Sequence, residues 1–292
     1  MKPFRYLALY LLALTLPTFA APPVDDIVDR AIAAIERQDS LCAKYSNRAL
    51  TQSIKYDKNM QPDEITTMTK LCYHSGKRIS EQILALNKDG KPLAAEEIAK
   101  QARNKNEEWE KGQKDPEKRK KASRENFIDP LSRDGRPQYN YFLIETRDSA
   151  VAHDSAAVAG VRDGDIFDQT VQKLATVYVI QARPKTPDER RLNATYWIEA
   201  NSAGILRTVF APSKMPSFVD TLHFEMDYAK QLLAGAIVYL PSRFEMKGKA
   251  GFLFFKGRFG VIEEFSDYRC DDAIDESVFA RRYWYRGEEE SR

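Results

Sequence analysis

Histidine is almost missing from this sequence: His74, His153 and His223 are the three in 292 residues, and none stands at metal-ligand spacing from another histidine or from a cysteine. No metal motif can be assembled from them. Glycine is never gathered into a phosphate-cradling loop followed by Lys-Ser or Lys-Thr, and no Gly-x-Ser-x-Gly elbow occurs. Two large classes of nucleotide-binding and hydrolytic site therefore lack their sequence mark, and no cofactor is expected. A surplus of charge is missing as well. The chain carries +2 overall, Lys2 and Arg5 account for both charges, and the remainder is nominally neutral, which gives no general pull on nucleic acid or anionic lipid. Cysteine is limited to Cys42, Cys72 and Cys270. At least one must stay unpaired in a monomer, an oxidising compartment would permit one disulfide, and spacing does not say which pair forms it.

Long apolar runs are absent but for one at the start. Met1-Lys2-Pro3-Phe4-Arg5 leads into an apolar stretch over residues 6–16, then Pro17 and the small-residue site Thr18-Phe19-Ala20. That layout predicts a secretory signal over residues 1–20 with cleavage near Ala20, since the run is too short for a membrane span of about 20 residues. The first cysteine, Cys42, lies too far from the cleavage region to accept a lipid anchor. The expected mature protein, residues 21–292, is therefore free in the periplasm or secreted. With 43% apolar and 11% aromatic residues it has ample material for a core.

Along that mature chain the first periodic piece covers residues 24–37, where Ile27, Ala31, Ile32 and Ile35 recur at helical spacing behind an acidic first turn. This predicts an amphipathic helix. Residues 46–56 and 66–86 read as strands, and Asp89-Gly90 supplies the positive φ of a tight reversal after them. Residues 93–128 then change character, with charges of both signs on long unbranched side chains. The expectation is a charged helical insertion, divided by Gly112 and by Asp115-Pro116. Lys118-Arg119-Lys120-Lys121 with Arg124 looks like a basic patch, yet Glu117, Glu125 and earlier acids nearly cancel it, as on a water-facing helix.

From Tyr139 to Cys270 the pattern is β almost throughout. Leu222, Phe224, Met226 and Tyr228 alternate strictly with His223, Glu225 and Asp227, so one face of that strand is apolar and the other polar. Tyr196-Trp197-Ile198-Glu199-Ala200 and residues 205–210 flank Asn201-Ser202-Ala203-Gly204, a short hairpin with Gly204 expected in the left-handed region. Residues 237–246, 252–255 and 261–268 continue the strand series. Evenly spaced strands with short turns imply an antiparallel meander, and helices confined to the first half give an α+β class: a large curved antiparallel β-sheet with helices packed on one face.

Little of this carries chemistry. Arg162-Asp163-Gly164-Asp165-Ile166-Phe167-Asp168 lacks the remaining positions of a calcium loop and reads as turn chemistry. Glu263 and Glu264 should point to opposite faces of a strand, which is wrong for shared acid/base work, and His223 belongs to a polar strand face. No set of converging polar groups is visible, so no enzyme is expected. The remaining candidate is the apolar stripe Leu222, Phe224, Met226 and Tyr228 with Phe244 and Met246 on a neighbouring strand. It is either core beneath a helix or the wall of a cavity.

Four stretches bear on that choice: Leu86-Asn87-Lys88-Asp89-Gly90-Lys91-Pro92-Leu93 ahead of a charged helical segment, Tyr196-Trp197-Ile198-Glu199 before a hairpin, Val238-Tyr239-Leu240-Pro241, and the closing Phe265-Ser266-Asp267-Tyr268. The pattern resembles a group of uncharacterised exported bacterial proteins that is similar to the periplasmic lipoprotein-sorting factors of the LolA/LolB type. The resemblance covers most of the mature chain and is one of strands and turns, not of functional residues. It implies a half-barrel capped by helices, with an apolar cavity for acyl chains, and hence a carrier of a lipid or lipoprotein-like ligand. The charged insertion, the extra strands near the start and the cysteines depart from that pattern. The alternative expectation is an envelope interaction module with a filled core and a protein partner.

Overall fold

The computed structural model describes residues 21–76, 78–114, 127–150, 174–217, 219–233, 235–252, 255–271 and 273–285. The expected signal at 1–20, His153, the 162–168 acidic cluster and the basic run at 118–124 lie outside them. No helix among the described residues is long and apolar enough to cross a membrane.

Helix α1 spans Val24–Leu41, one turn longer than its apolar period, with Asp25 and Asp26 in its first turn, where the helix dipole favours acids. Three strands follow, β1 (Lys44–Tyr56), β2 (Pro62–Ser75) and β3 (Arg78–Lys88), so the run at 66–86 is two strands and not one. The chain reverses between them at Gly76, φ +57°. Asp89 (φ 48°) and Gly90 (φ 76°) form the expected tight reversal into the short β4 (Lys91–Pro92). Helix α2 covers Ala95–Lys114 and runs straight through Gly112, contrary to expectation. A glycine inside a helix costs about 1 kcal/mol against alanine, which neighbouring helix formers offset.

The second half adds β5 (Tyr139–Ala150), β6 (Leu174–Pro184), β7 (Leu192–Glu199), β8 (Ile205–Pro212), β9 (Val219–Leu233), β10 (Ala236–Phe252), β11 (Phe255–Cys270) and β12 (Tyr283–Tyr285). The 252–255 stretch is thus a strand end and the next strand's beginning, with Phe252 opposite Phe255, and not a strand of its own. All twelve strands form one open sheet in the order β12-β3-β2-β1-β11-β10-β9-β8-β7-β6-β5, with β4 on β3. Two meanders are joined by the β1–β11 ladder, and only β12 departs from antiparallel order, running parallel to β3. One disulfide ties Cys42, at the end of α1, to Cys270, at the end of β11, leaving Cys72 as a buried thiol.

Both helices lie on the same face, called here the inner face. Ile27, Val28 and Ile32 of α1 pack against Tyr139, Ile180 and Ile198 of the β5–β7 end. Full burial of such side chains contributes about 1.5–3 kcal/mol each. At the other end Ile98 and Ala102 of α2 pack on Ile83 and Leu86 of β3. The charged segment therefore contributes its sparse apolar residues to a second small core. Between the two cores, the inner-face side chains of β9, β10 and β11 belong to neither, apart from Tyr228, which packs against the first.

Candidate functional site

The middle of the inner face, between the parts that α1 and α2 cover, is built by register. In the β9–β10 ladder Gly248 stands opposite Leu222, Met246 opposite Phe224, Phe244 opposite Met226 and Pro241 opposite Tyr228, so alternation places all six candidate side chains on one face. Phe224 is the centre of an aromatic row, stacked on Phe210 at 4.8 Å and on Phe244 at 6.1 Å, with Phe127 edge-on at 5.8 Å. It is nearly buried, at 7% exposure. Leu222, Met226, Phe244, Met246 and Tyr228 each keep part of their surface. Tyr228 leans on the α1 core, and burial pushes its hydroxyl up to about 12. The polar face of β9 is on the outside: His223 is half exposed and lies 3.1 Å from Glu225.

Two sets of converging polar groups border this floor, and sequence reasoning missed both. The first follows Tyr228 by two residues on the same face. Lys230 Nζ meets Glu199 Oε1 at 2.7 Å, and Glu199 Oε2 accepts from Ser202 and from the Tyr239 hydroxyl. Ser202 Oγ and the Tyr239 hydroxyl are themselves 2.7 Å apart. Burial opposes ionisation of Glu199, but these donors hold its carboxyl below the ordinary carboxylate range. A cavity of about 520 Å³ opens between this cluster and the last two turns of α1, with Ala34, Ile35, Leu41, Ile237 and Tyr228 among its walls. A second cavity of about 760 Å³ shares Gln38, Leu41 and Val238 with it and continues past Leu240 and Pro241. Here β10 has parted from β11, whose ladder stops at Arg243 opposite Glu264. Side chains serve the freed edge: the Gln38 amide both donates to the Tyr239 carbonyl and accepts from its N–H, at 2.9 and 2.8 Å, and Tyr268 donates to the Pro241 carbonyl at 2.8 Å.

The hairpin carrying Ser202 also differs from expectation. Ala203, at φ 58°, takes the left-handed position and Gly204 does not. Gly204 is required for space instead, since a Cβ there would lie 2.1 Å from the Tyr239 ring. Tertiary packing against Tyr239, invisible locally, overrides the usual turn preference.

The second cluster borders the floor on its β2 side. Glu263 stands opposite Phe244 in the β10–β11 ladder and points inward, while Glu264 is exposed on the other face, as expected. Lys70 Nζ lies 2.8 Å from both Glu263 and Glu81, and Arg282 holds the other Glu81 oxygen at 3.0 Å. Burial alone would lower the Lys70 pKa, but the two carboxylates hold it above its ordinary value. Burial also pushes the Cys72 thiol up to about 12 and lowers His74 to about 4, so neither is a ready nucleophile or base at neutral pH. His74 stacks on Tyr45 at 4.3 Å and bonds Asn47 at 3.0 Å, which is a packed polar core. No group of three or more His, Cys, Asp or Glu among the described residues could hold a metal ion.

No family model matches the chain, and no curated protein does. Similar solved structures include a DUF1329 family protein from Desulfovibrio piger, with 12% identity, 89% of this chain and 98% of that chain covered, and a TM-score of 0.41. A putative outer membrane lipoprotein-sorting protein domain from Vibrio parahaemolyticus matches at 10% identity, covering 88% and 97%, with a TM-score of 0.37. A LolA superfamily protein from Nitrosomonas europaea matches at 8%, covering 89% and 98%, with a TM-score of 0.33. The second and third of these neighbours are described by the lipoprotein-sorting or LolA name of the group that the strand-and-turn pattern resembles.

Proposed function

We propose that this chain is an exported, non-enzymatic binding protein for a hydrophobic ligand with an acyl chain, taken up on the floor formed by Leu222, Phe224, Met226, Tyr228, Phe244 and Met246. The observation that carries the reading is the position of this stripe. It lies between two helix-covered cores, only Tyr228 of its residues packs against either of them, and five of its six side chains keep part of their surface. An aromatic and thioether surface of this kind accommodates flexible chains of varied shape. Each buried CH₂ contributes about 0.8 kcal/mol, so a chain of about 16 carbons contributes roughly 12 kcal/mol before the costs of ordering and association. In this reading residues 1–20 are the export signal, removed near Ala20, and residues 21–292 form one domain in which the charged segment at about 93–128 is an insertion.

Native mass spectrometry of protein purified from its own periplasm tests the reading. The expected result is a mature chain starting near Ala21 with co-purified lipid. A ligand-free protein that also shows no saturable uptake of a fluorescent fatty acid would leave the interaction-module reading in its place.

A further inference from the structure

The 520 Å³ cavity at the end of α1 has one feature that the apolar floor lacks: a partly buried cation on its wall, paired with a single carboxylate. Lys230 is 16% exposed at its side chain, it lines the cavity, and Glu199 is its one hydrogen-bond acceptor among the described residues. An ammonium carries three N–H donors. One goes to Glu199, and the Tyr239 ring face lies 5.6 Å from Nζ. The opposite wall is mixed: Ala34, Ile35 and Leu41 on α1 and Ile237 on β10 supply apolar surface, beside Arg37 and Gln38 of α1 and Asp129. Tyr228 joins this cavity to the stripe of Leu222, Phe224 and Met226, because all lie on the inner face of β9.

We infer that this cavity is the head end of the binding site, and that it selects a single-chain amphiphile whose head carries an uncharged acyl carbonyl, as in an ester or amide, with the carbonyl accepting from Lys230. The inference rests on the carrier reading above and adds the chemistry of the head. Its size is within the range of about 300–1,000 Å³ typical of small-molecule sites. Charge decides between a neutral and an anionic head. The charges lining the cavity are balanced, Lys230 and Arg37 against Glu199 and Asp129, and Glu199 Oε1 lies 2.7 Å from Lys230 Nζ, so a further carboxylate at that nitrogen would face Glu199 with little net attraction. A carbonyl oxygen uses the spare donor without adding charge. A head lacking an acceptor would leave that donor unpaired once water is displaced, which a buried polar group does not tolerate cheaply.

The test is titration calorimetry with a matched pair of probes below their micelle thresholds, 1-monolauroylglycerol and 1-O-dodecylglycerol, which differ only in the ester carbonyl. The wild-type protein should bind the ester about 10-fold more tightly than the ether, the factor expected for one hydrogen bond from a charged donor. Lys230→Met should abolish that preference while leaving ether binding within about 2-fold, and Lys230→Arg should keep most of it. Ala34→Phe, which fills the cavity from the α1 side, should weaken both probes at least 10-fold. Equal binding of ester and ether by the wild-type protein overturns the inference and leaves the carrier reading standing. Binding of neither probe overturns the carrier reading itself. Should Lys230→Met fail to fold, the wild-type ratio and Ala34→Phe decide alone: a preference that survives a filled cavity overturns the assignment of the site.

Discussion

Replacing Lys70 by methionine removes the central charge of the inner-face cluster while keeping the volume of the side chain. In the native protein Lys70 is 9% exposed and bridges Glu81 and Glu263 at 2.8 Å each. After the change Glu81 retains Arg282, but Glu263 retains, among the described residues, only the Thr51 hydroxyl at 3.2 Å. Removing one partner of a buried ion pair costs about 3–5 kcal/mol, because the orphaned charge has lost its solvent and its counterion. With a urea slope of about 2–3 kcal/mol/M for a chain of this size, the midpoint should fall by about 1–2 M at pH 7.5. The pH dependence gives the mechanism. A buried carboxylate that has lost its counterion is destabilising in its charged form, and that penalty is relieved where low pH removes the charge. The deficit of Lys70→Met against wild type should therefore shrink at pH 4.5. In the wild-type protein the raised Lys70 pKa contributes stability that is fully present below about 10.5 and is lost only as pH rises through the folded value. Adding Glu263→Gln to Lys70→Met should recover part of the loss. A deficit under about 1 kcal/mol at pH 7.5, or an equal deficit at both pH values, would refute the reasoning.

Gly204→Ala should destabilise by about 1–3 kcal/mol in thermal melts, since its Cβ meets the Tyr239 ring at 2.1 Å and must displace it from Glu199. Reducing the Cys42–Cys270 disulfide, which spans 228 residues, should lower stability by about 2–5 kcal/mol, and a thiol count should then find Cys72 reactive only in denaturant. Phe224→Ala should cost about 3 kcal/mol in urea, because its ring is enclosed by three others. Met226→Trp, at a side chain with free surface, should cost under about 1 kcal/mol yet reduce binding of a fluorescent fatty acid; a large stability loss with unchanged binding would make the stripe a sealed core.

Periodicity in the sequence reached as far as local physics reaches. The apolar spacing of Ile27, Ala31 and Ile32 shows α1, the alternation from Leu222 to Tyr228 shows β9 and its inner face, and Asp89-Gly90 shows its turn. Gly112 stays helical because the residues around it favour the helix. Two other features depend on partners distant in sequence and are not visible locally. Ala203 takes the left-handed position because Gly204 must admit Tyr239. Lys70 and Glu263 meet only through the β1–β2 and β1–β11 ladders. The Lys230 site left one overlooked trace: continuing the β9 alternation two residues past Tyr228 puts a lysine on an otherwise apolar face, and a charge there requires a buried partner.

Those two lysines have a further consequence for a sheet whose middle is covered by neither α1 nor α2. A strand slipped by one residue moves every side chain to the opposite face, and a covering core normally makes that slip prohibitive. Over β9 and β10 the floor is only partly enclosed, so apolar burial specifies register less strongly there. Slipping β9 would turn Lys230 outward and leave Glu199 buried, with only Ser202 and Tyr239 as donors. Slipping β11 against β1 would likewise separate Glu263 from Lys70. Each such orphaned charge costs about 3–5 kcal/mol, comparable to the loss of a large core side chain. The ion pairs thus sit on the two borders of the open floor, where they hold register in place of a packed layer and leave the apolar surface between them exposed.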